Sequence, residues 1–457
     1  MQDFFQQLPP KTLALLTSEF EKALVRGEDA AIAELVLGEL RKAVRKPDAN
    51  DRPRLDELQR VVFGALEPFL VDGDDTRPGQ IKRSSLGPIW TWVTQTAVPK
   101  EADAFRQEFT AAKQDGRTAE SDQILRRLQL AIADAIGGVM ASQGGDRQRS
   151  LGRVGAPGVV DDLPAVQLIF ANREALETFR SRLPRIMSSF ADSQVASIRG
   201  QIVQLPSLQS APIVPFVISS IMQQMTSPWQ IIRLAISFAA SDEETRVAAT
   251  PFGLAVSMAL YDLATLVDEL RTQIKRGDFD RSAHQLKSLH DGVRDLRTGL
   301  DFRSDSAWGR QLSSIRADIS NALTSEIESV PGRVRRLLRQ RSDKDISAGA
   351  RLDLSEADET VALVNFVNTC RNYASELAIS EVTLRSFSEL QHYLESATDA
   401  LVESLRNADA KVRAFRQLQV ELAIRFCEVI FGHDYASLMN KAAEVALSGE
   451  RKTTRAG

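Results

Sequence analysis

The chain contains few of the side chains from which disulfide frameworks and metal sites are built. Its 457 residues include two cysteines and four histidines. Both cysteines, Cys370 and Cys427, fall inside helical patterns, and two thiols cannot form a disulfide framework or a four-cysteine zinc site. We therefore expect neither structure, and the low cysteine content is typical of a protein from a reducing compartment.

The chain has no excess of positive charge, and a secretory signal is not predicted from its first residues. Lys and Arg number 57 against 61 Asp and Glu, which gives a net charge of −4. A general attraction to nucleic acid is therefore not expected. The first residues, MQDFFQQLPPKTLALL, have no basic start and no long apolar core. The prediction is a cytoplasmic protein, with the inner face of a membrane as the alternative location.

Alternating apolar patterns are few and Asn-Gly turns are absent, whereas apolar residues spaced three and four apart run through most of the sequence. This pattern predicts an all-α fold of many helices in several subdomains. Five glycines between 144 and 158 interrupt it and indicate a linker. The predicted ranges are an N-terminal helical domain at 1–142, a flexible Gly/Arg linker at 143–159, a central helical domain at 160–341, a loop at 342–354, a C-terminal bundle at 355–447 and a disordered tail at 448–457.

The C-terminal range has the clearest helical periodicity. Three apolar stripes follow one another with alternating spacings of three and four residues, which predicts an antiparallel three-helix bundle with coiled-coil-like seams. The stripes are Leu363, Val367, Cys370, Ala374 and Leu377; Phe387, Leu390, Leu394, Ala397 and Leu401; and Phe415, Leu418, Leu422, Phe426 and Val429.

No charged residue occurs between Arg199 and Arg233, in a chain of which 26% is charged. We call residues 200–232 the uncharged window. Its longest stretch without proline, Phe216 to Ser227, has 12 residues, whereas a spanning helix needs about 20. A transmembrane segment is therefore not predicted here.

Three interpretations of the uncharged window remain. It forms a buried central hairpin, a surface for a partner or a second copy, or a loop that dips into a bilayer. In the last two cases the contact residues would be Ile213, Val214, Phe216, Val217 and Ile218.

A basic segment follows Pro331 and Gly332. Its arginines lie opposite Val334, Leu337 and Leu338 on a helix, so it could meet an anionic lipid surface or an acidic partner. The competing interpretation is a solvated helix end, where cations favour the carboxyl end of the helix dipole. The five arginines are Arg333, Arg335, Arg336, Arg339 and Arg341.

One metal-ligand pattern occurs in the chain. Glu389 and His392 form a Glu-x-x-His pair, but a di-iron bundle site needs two such pairs and two further glutamates. A half-buried histidine beside Tyr393 is the competing interpretation. The glycine-rich stretch 152–158 lacks the lysine and the hydroxyl residue of a phosphate-binding loop, and no cofactor is predicted.

These patterns favour a non-catalytic helical scaffold or adaptor that makes protein–protein contacts and self-associates. The first alternative is a peripheral membrane protein that uses the 212–218 and 333–341 segments on an anionic surface. The second is an enzyme whose site is assembled from residues far apart in sequence, which no linear motif reveals.

Overall fold

The computed structural model describes residues 57–73, 76–342, 346 and 350–448, and it confirms the all-α, multi-helix fold. The described residues divide into two compact units. The first unit comprises residues 57–67 and 84–161, and the second comprises residues 68–83 and 162–448.

The first unit is a set of helices around an aromatic core. Phe63 meets Trp90 edge-on at 6.0 Å between ring centroids, and Phe105 stacks on Phe109 at 5.0 Å. The buried Gln129 side chain donates to the Val62 carbonyl at 2.7 Å and so fixes the first helix. The helices are α1 Glu57–Val62, α2 Leu86–Trp92, α3 Pro99–Gln114, α4 Thr118–Ala141, α5 Gly144–Gly152 and α6 Pro157–Val160, with a 3-10 segment at Phe63–Phe69 and a π-helical turn at Val93–Ala97.

The second unit holds the two short strands of the described chain and the remaining helices. The strands are β1 Leu70–Val71 and β2 Ile81–Lys82, which pair in parallel with Leu70 opposite Ile81. The helices before the C-terminal range are α7 Leu163–Ala171, α8 Arg173–Arg182, α9 Asp192–Val203, α10 Val214–Met222, α11 Ile232–Ala239, α12 Glu244–Ala248, α13 Leu254–Lys275, α14 Phe279–Gly299 and α15 Ala307–Leu337, with 3-10 turns at Pro206–Gln209, Pro228–Ile231 and Pro251–Gly253.

Helix α13 lies at the centre of this unit, where it packs against α11, α14 and α15. It is apolar because it is surrounded: nine of its side chains are buried. Pro251–Lys275 is the one stretch in the described ranges that is long and apolar enough to cross a membrane, and half of its apolar part is buried in the protein. A core helix of a soluble protein meets the same test, so this length and composition are weak evidence for a membrane span.

Helix α15 continues through Pro331 to Leu337, so Arg333, Arg335 and Arg336 lie in its last turns, whereas Arg339 and Arg341 follow the helix. An internal proline removes one helical hydrogen bond. Val330, Pro331, Val334 and Leu337 are all buried, and this packing offsets that loss. The other end begins at Ser306, whose hydroxyl accepts from the Gly309 N–H at 2.9 Å as an N-cap.

The three helices predicted in the C-terminal range are present, and a fourth follows them after Gly432. All residues of the first two stripes are buried, whereas Leu418 of the third is 39% exposed. These helices also pack on α14 and α15, which places them in the second unit. They are α16 Leu354–Tyr373, α17 Ser380–Arg406, α18 Arg413–Phe431 and α19 His433–Ser448.

The two compact units do not coincide with the domain ranges predicted from the sequence. Residues 68–83 belong to the second unit, because β1 pairs with β2 and Phe69 packs on Phe216. The glycine-rich range 143–159 contains α5 and α6 and belongs to the first unit. The N-terminal range 1–56 and the tail beyond residue 448 lie outside the described residues.

Candidate functional site

The five candidate contact residues of the uncharged window lie in the interior. Ile213, Val214, Val217 and Ile218 are 0% exposed, and Phe216 is 4% exposed. A membrane or partner contact through these side chains would require them to leave the core, at a cost of about 1.5–3 kcal/mol for each large side chain.

A loop of the second unit covers the start of α10. Gly79 has a φ of +82°, and a Cβ at this position would lie 2.4 Å from the Pro215 carbonyl oxygen. Only glycine tolerates both the positive φ and this close approach. Phe69 covers the same helix from the side, with its ring 5.2 Å from that of Phe216. The beginning of the candidate contact segment is therefore enclosed by its own unit.

The basic segment lies at the surface, and most of its charge is engaged within the protein. Three of its five arginines bind carboxylates of α15, α16 or α17, so they join the end of α15 to its neighbours. Exposed ion pairs of this kind contribute about 0.2–1 kcal/mol each. The pairs are Arg333 with Glu359 at 2.7 Å and with Glu326 at 3.8 Å, Arg335 with Glu389 at 2.6 Å, and Arg336 with Glu356.

Arg339 and Arg341 differ from these three. Both are exposed, and neither side chain makes an ion pair with any residue that the structure describes. The positive charge that the basic segment offers to another molecule therefore resides mainly at the very end of α15.

A concave surface runs between the end of α15 and the middle of α17, and we call it the arginine groove. It has a volume of about 650 Å³. One wall carries three guanidiniums, and the other carries a tyrosine, a serine and two alanines. The lining residues are Arg335, Arg336, Arg339 and Gln340 of the α15 end and Tyr393, Ser396, Ala397 and Ala400 of α17.

Two buried polar side chains of α18 hold the end of α15 in place. Gln419 donates to the carbonyls of Leu337 at 3.4 Å and Arg339 at 3.3 Å, and Arg416 donates to the Arg341 carbonyl. Both side chains are only 2% exposed. A helix ends in carbonyls that lack helical partners, and the Gln419 bond satisfies that of Leu337, the last residue of α15. The bonds to the Arg339 and Arg341 carbonyls hold the segment that follows the helix.

Tyr393 connects the two walls of the groove. The Arg335 guanidinium lies over its ring, 5.6 Å from the centroid, as a cation–π contact. Burial raises the pKa of the Tyr393 phenol, while the Arg335 charge acts in the opposite direction. The phenol consequently stays protonated at neutral pH and can donate a hydrogen bond to a ligand.

The Glu389–His392 pair is not arranged as a metal site. The Glu389 carboxylate binds Arg335, and the His392 side chain is exposed rather than half-buried. Within the described ranges, no group of three or more His, Cys, Asp or Glu side chains could hold a metal ion.

The two cysteines are free and buried. Burial raises the pKa of both the Cys370 and the Cys427 thiol, which disfavours the reactive thiolate. Cys427 also lies 3.3 Å from the Thr398 hydroxyl. Both thiols act as small core side chains.

The cationic wall of the groove is visible in the sequence as a run of arginines, but the opposite wall is not. Tyr393, Ala397 and Ala400 are four and three residues apart, a spacing that places them on one face of α17. No local spacing predicts that this face lies against the end of α15, because the two segments are more than 50 residues apart. Glu356 and Glu389 were missed as partners of the arginines for the same reason.

Comparison of the chain with protein-family models, curated proteins and solved structures gives no match in any of the three.

Proposed function

We propose that this protein is a non-catalytic helical adaptor that binds another protein, or a second copy of itself, through the arginine groove. The observation that carries the proposal is the composition of that groove. It combines arginines and a tyrosine on a surface fixed by α15, α17 and α18.

Arginine and tyrosine are the residue types most enriched, together with tryptophan, at the energetic centres of protein interfaces. The groove lining is also largely exposed, with Arg335, Arg336, Arg339, Gln340, Ser396 and Ala400 accessible to solvent. Sites for small ligands usually enclose most of the ligand. An open groove with small alanines on one wall is better suited to a protein segment.

The membrane alternative has less support. It relies on Ile213 to Ile218, which are buried, and on a basic segment in which three of five arginines are already paired. The enzyme alternative needs a convergent set of reactive groups, and no arrangement described above favours one. A cytoplasmic location remains the prediction from the sequence.

The adaptor proposal is tested by photo-crosslinking in the cells that make the protein. A benzophenone side chain is placed at Gln340, which lines the groove, and in a control chain at Lys287, an exposed position of α14 that does not. We expect a covalent adduct with a polypeptide from Gln340 and none from Lys287, and we expect Arg339→Glu to abolish it.

The mass of the adduct distinguishes a second copy from a different partner. Equal crosslinking from both positions, or adducts that Arg339→Glu leaves unchanged, would contradict a role for the groove. Normal helix content of each variant by circular dichroism excludes misfolding as the cause.

A further inference from the structure

Two of the three guanidiniums that line the arginine groove are already bound to carboxylates. Glu389 holds Arg335 at 2.6 Å from α17, and Glu356 holds Arg336 from α16. Both pairs lie at the surface, where an ion pair contributes little net free energy because water and salt screen it. A carboxylate from another molecule can therefore replace either glutamate at small cost.

Arg339 completes the set. It lines the same groove, is exposed, and has no ion-pair partner in the described part of the chain. Among the described residues, these three guanidiniums pair with two carboxylates, so the Arg339 charge is not compensated there. Arriving negative charge is therefore attracted to the groove before either internal pair opens.

The groove orders the backbone that carries these cations. Gln419 and Arg416 fix the backbone at and just beyond the end of α15, and Tyr393 lies beneath the Arg335 guanidinium. A backbone that is ordered before a ligand binds lowers the entropy cost of binding. Each guanidinium can form two parallel hydrogen bonds to one carboxylate, the geometry in which arginine binds carboxylates best.

We propose that the arginine groove binds an acidic segment of the partner protein, whose carboxylates pair with Arg339 and displace Glu356 and Glu389 from Arg336 and Arg335. This inference rests on the proposed adaptor function and names the chemistry of the partner. Glu356 and Glu389 then act as internal competitors, which keep the groove occupied until an acidic segment arrives.

The shape of the groove favours a peptide segment over a bilayer. Tyr393 and Ala400 of α17 are seven residues apart, which is about 10 Å along a helix at 1.5 Å per residue. A concave surface of this length contacts a narrow chain on two sides, whereas a flat lipid surface would reach only its rim. Ala397 and Ala400 leave room for the peptide backbone.

The test is a fluorescence anisotropy titration of the full chain with a labelled ten-residue polyglutamate peptide at low salt. We expect Arg339→Glu to weaken binding by roughly ten-fold or more, because it reverses the one uncompensated charge. We expect Glu389→Gln and Glu356→Gln each to strengthen binding roughly two- to five-fold, because each removes a competitor.

Matched controls separate local competition from net charge. Glu403→Gln and Arg406→Glu alter an exposed ion pair of α17 that does not line the groove. Neither side chain binds an arginine of the groove, so we expect both changes to alter peptide affinity by less than about two-fold when the titration is repeated at about 0.15 M salt, where the Debye length is about 8 Å.

Three results would overturn the inference. The first is tightening by Glu403→Gln equal to that by Glu389→Gln. The second is unchanged binding after Arg339→Glu. The third is no peptide binding while phosphatidylserine vesicles bind in an Arg339-dependent manner, which would assign the groove to lipid. A further outcome is a crosslinked polypeptide at Gln340 together with no binding of the polyglutamate peptide. That result would refute an acidic partner segment but would still support the adaptor function.

Discussion

The uncharged window and the basic segment are the two most unusual stretches of the sequence, and the structure uses them in opposite ways. Four of the five candidate residues of the window are 0% exposed, and the fifth is nearly so. The basic segment ends α15 at the surface, with its cations shared between internal glutamates and solvent. Unusual composition thus marks part of the core in one case and a charged, exposed surface in the other.

The two stretches differ in how the fold stabilises them. Burial within the protein already removes the apolar side chains of the window from water. The arginines of the basic segment are satisfied only in part, because each surface ion pair is weak and Arg339 makes none with the described residues. Only the second stretch carries charge that the described residues leave without an ion-pair partner.

The burial of part of the window is tested by placing the same polar residue at one buried and one exposed position. Val217 is 0% exposed, whereas Val203 is 52% exposed at the end of α9. We expect Val217→Asn to destabilise the protein by about 3–5 kcal/mol, the sum of a lost core side chain and a buried amide. Urea denaturation followed by circular dichroism measures the loss.

Val203→Asn is the control for this change, with an expected effect within about 0.5 kcal/mol. Comparable destabilisation by both variants would mean that the window is not divided into core and surface in the way described.

A smaller effect is expected at the clamp on the end of α15. Gln419→Met keeps the shape of the side chain but leaves the Leu337 and Arg339 carbonyls without its hydrogen bonds. We expect a loss of about 1–3 kcal/mol of unfolding free energy, the cost of unsatisfied buried polar groups. Gln417→Met, two residues earlier on α18, should cost no more than about 0.5 kcal/mol. A Gln419 variant as stable as the Gln417 variant would show that the clamp is not needed to hold the helix end.

The smallest effect is expected from the ion pairs themselves. Arg333→Gln should cost about 0.2–1 kcal/mol at low salt and less at 1 M salt, because screening weakens the contact with Glu359. A double-mutant cycle with Glu359→Gln isolates the pair. A coupling energy above about 2 kcal/mol would indicate that the basic segment is chiefly a structural element, and it would weaken the case for exchange with a ligand.

The sequence predicted the helices well where their apolar periodicity was complete. The stripes from Leu363 to Leu377 and from Phe387 to Leu401 are buried as their spacing requires. The ends of the helices are harder to predict, because proline and glycine often mark helix ends but can also lie inside a helix. Pro331 lies inside α15, where the packing of Val330 and Val334 outweighs the missing hydrogen bond.

The candidate site was only half predictable for a different physical reason. A run of arginines is visible in one stretch, but its charge balance depends on Glu356, Glu359 and Glu389, which are distant in sequence. Tyr393 and the alanines of α17 face the same groove through tertiary packing alone. Local patterns locate charge, whereas only the fold decides how much of it is already neutralised.

Hydrogen exchange of the full chain, measured with and without the polyglutamate peptide and with anionic vesicles, tests the central contrast most directly. We expect α10, Val214–Met222, to stay protected in the free protein, with the peptide and with vesicles. We expect the peptide to slow exchange at the end of α15 and along Tyr393 to Ala400. Rapid exchange of α10 in the free protein, with protection gained only on vesicles, would contradict this contrast.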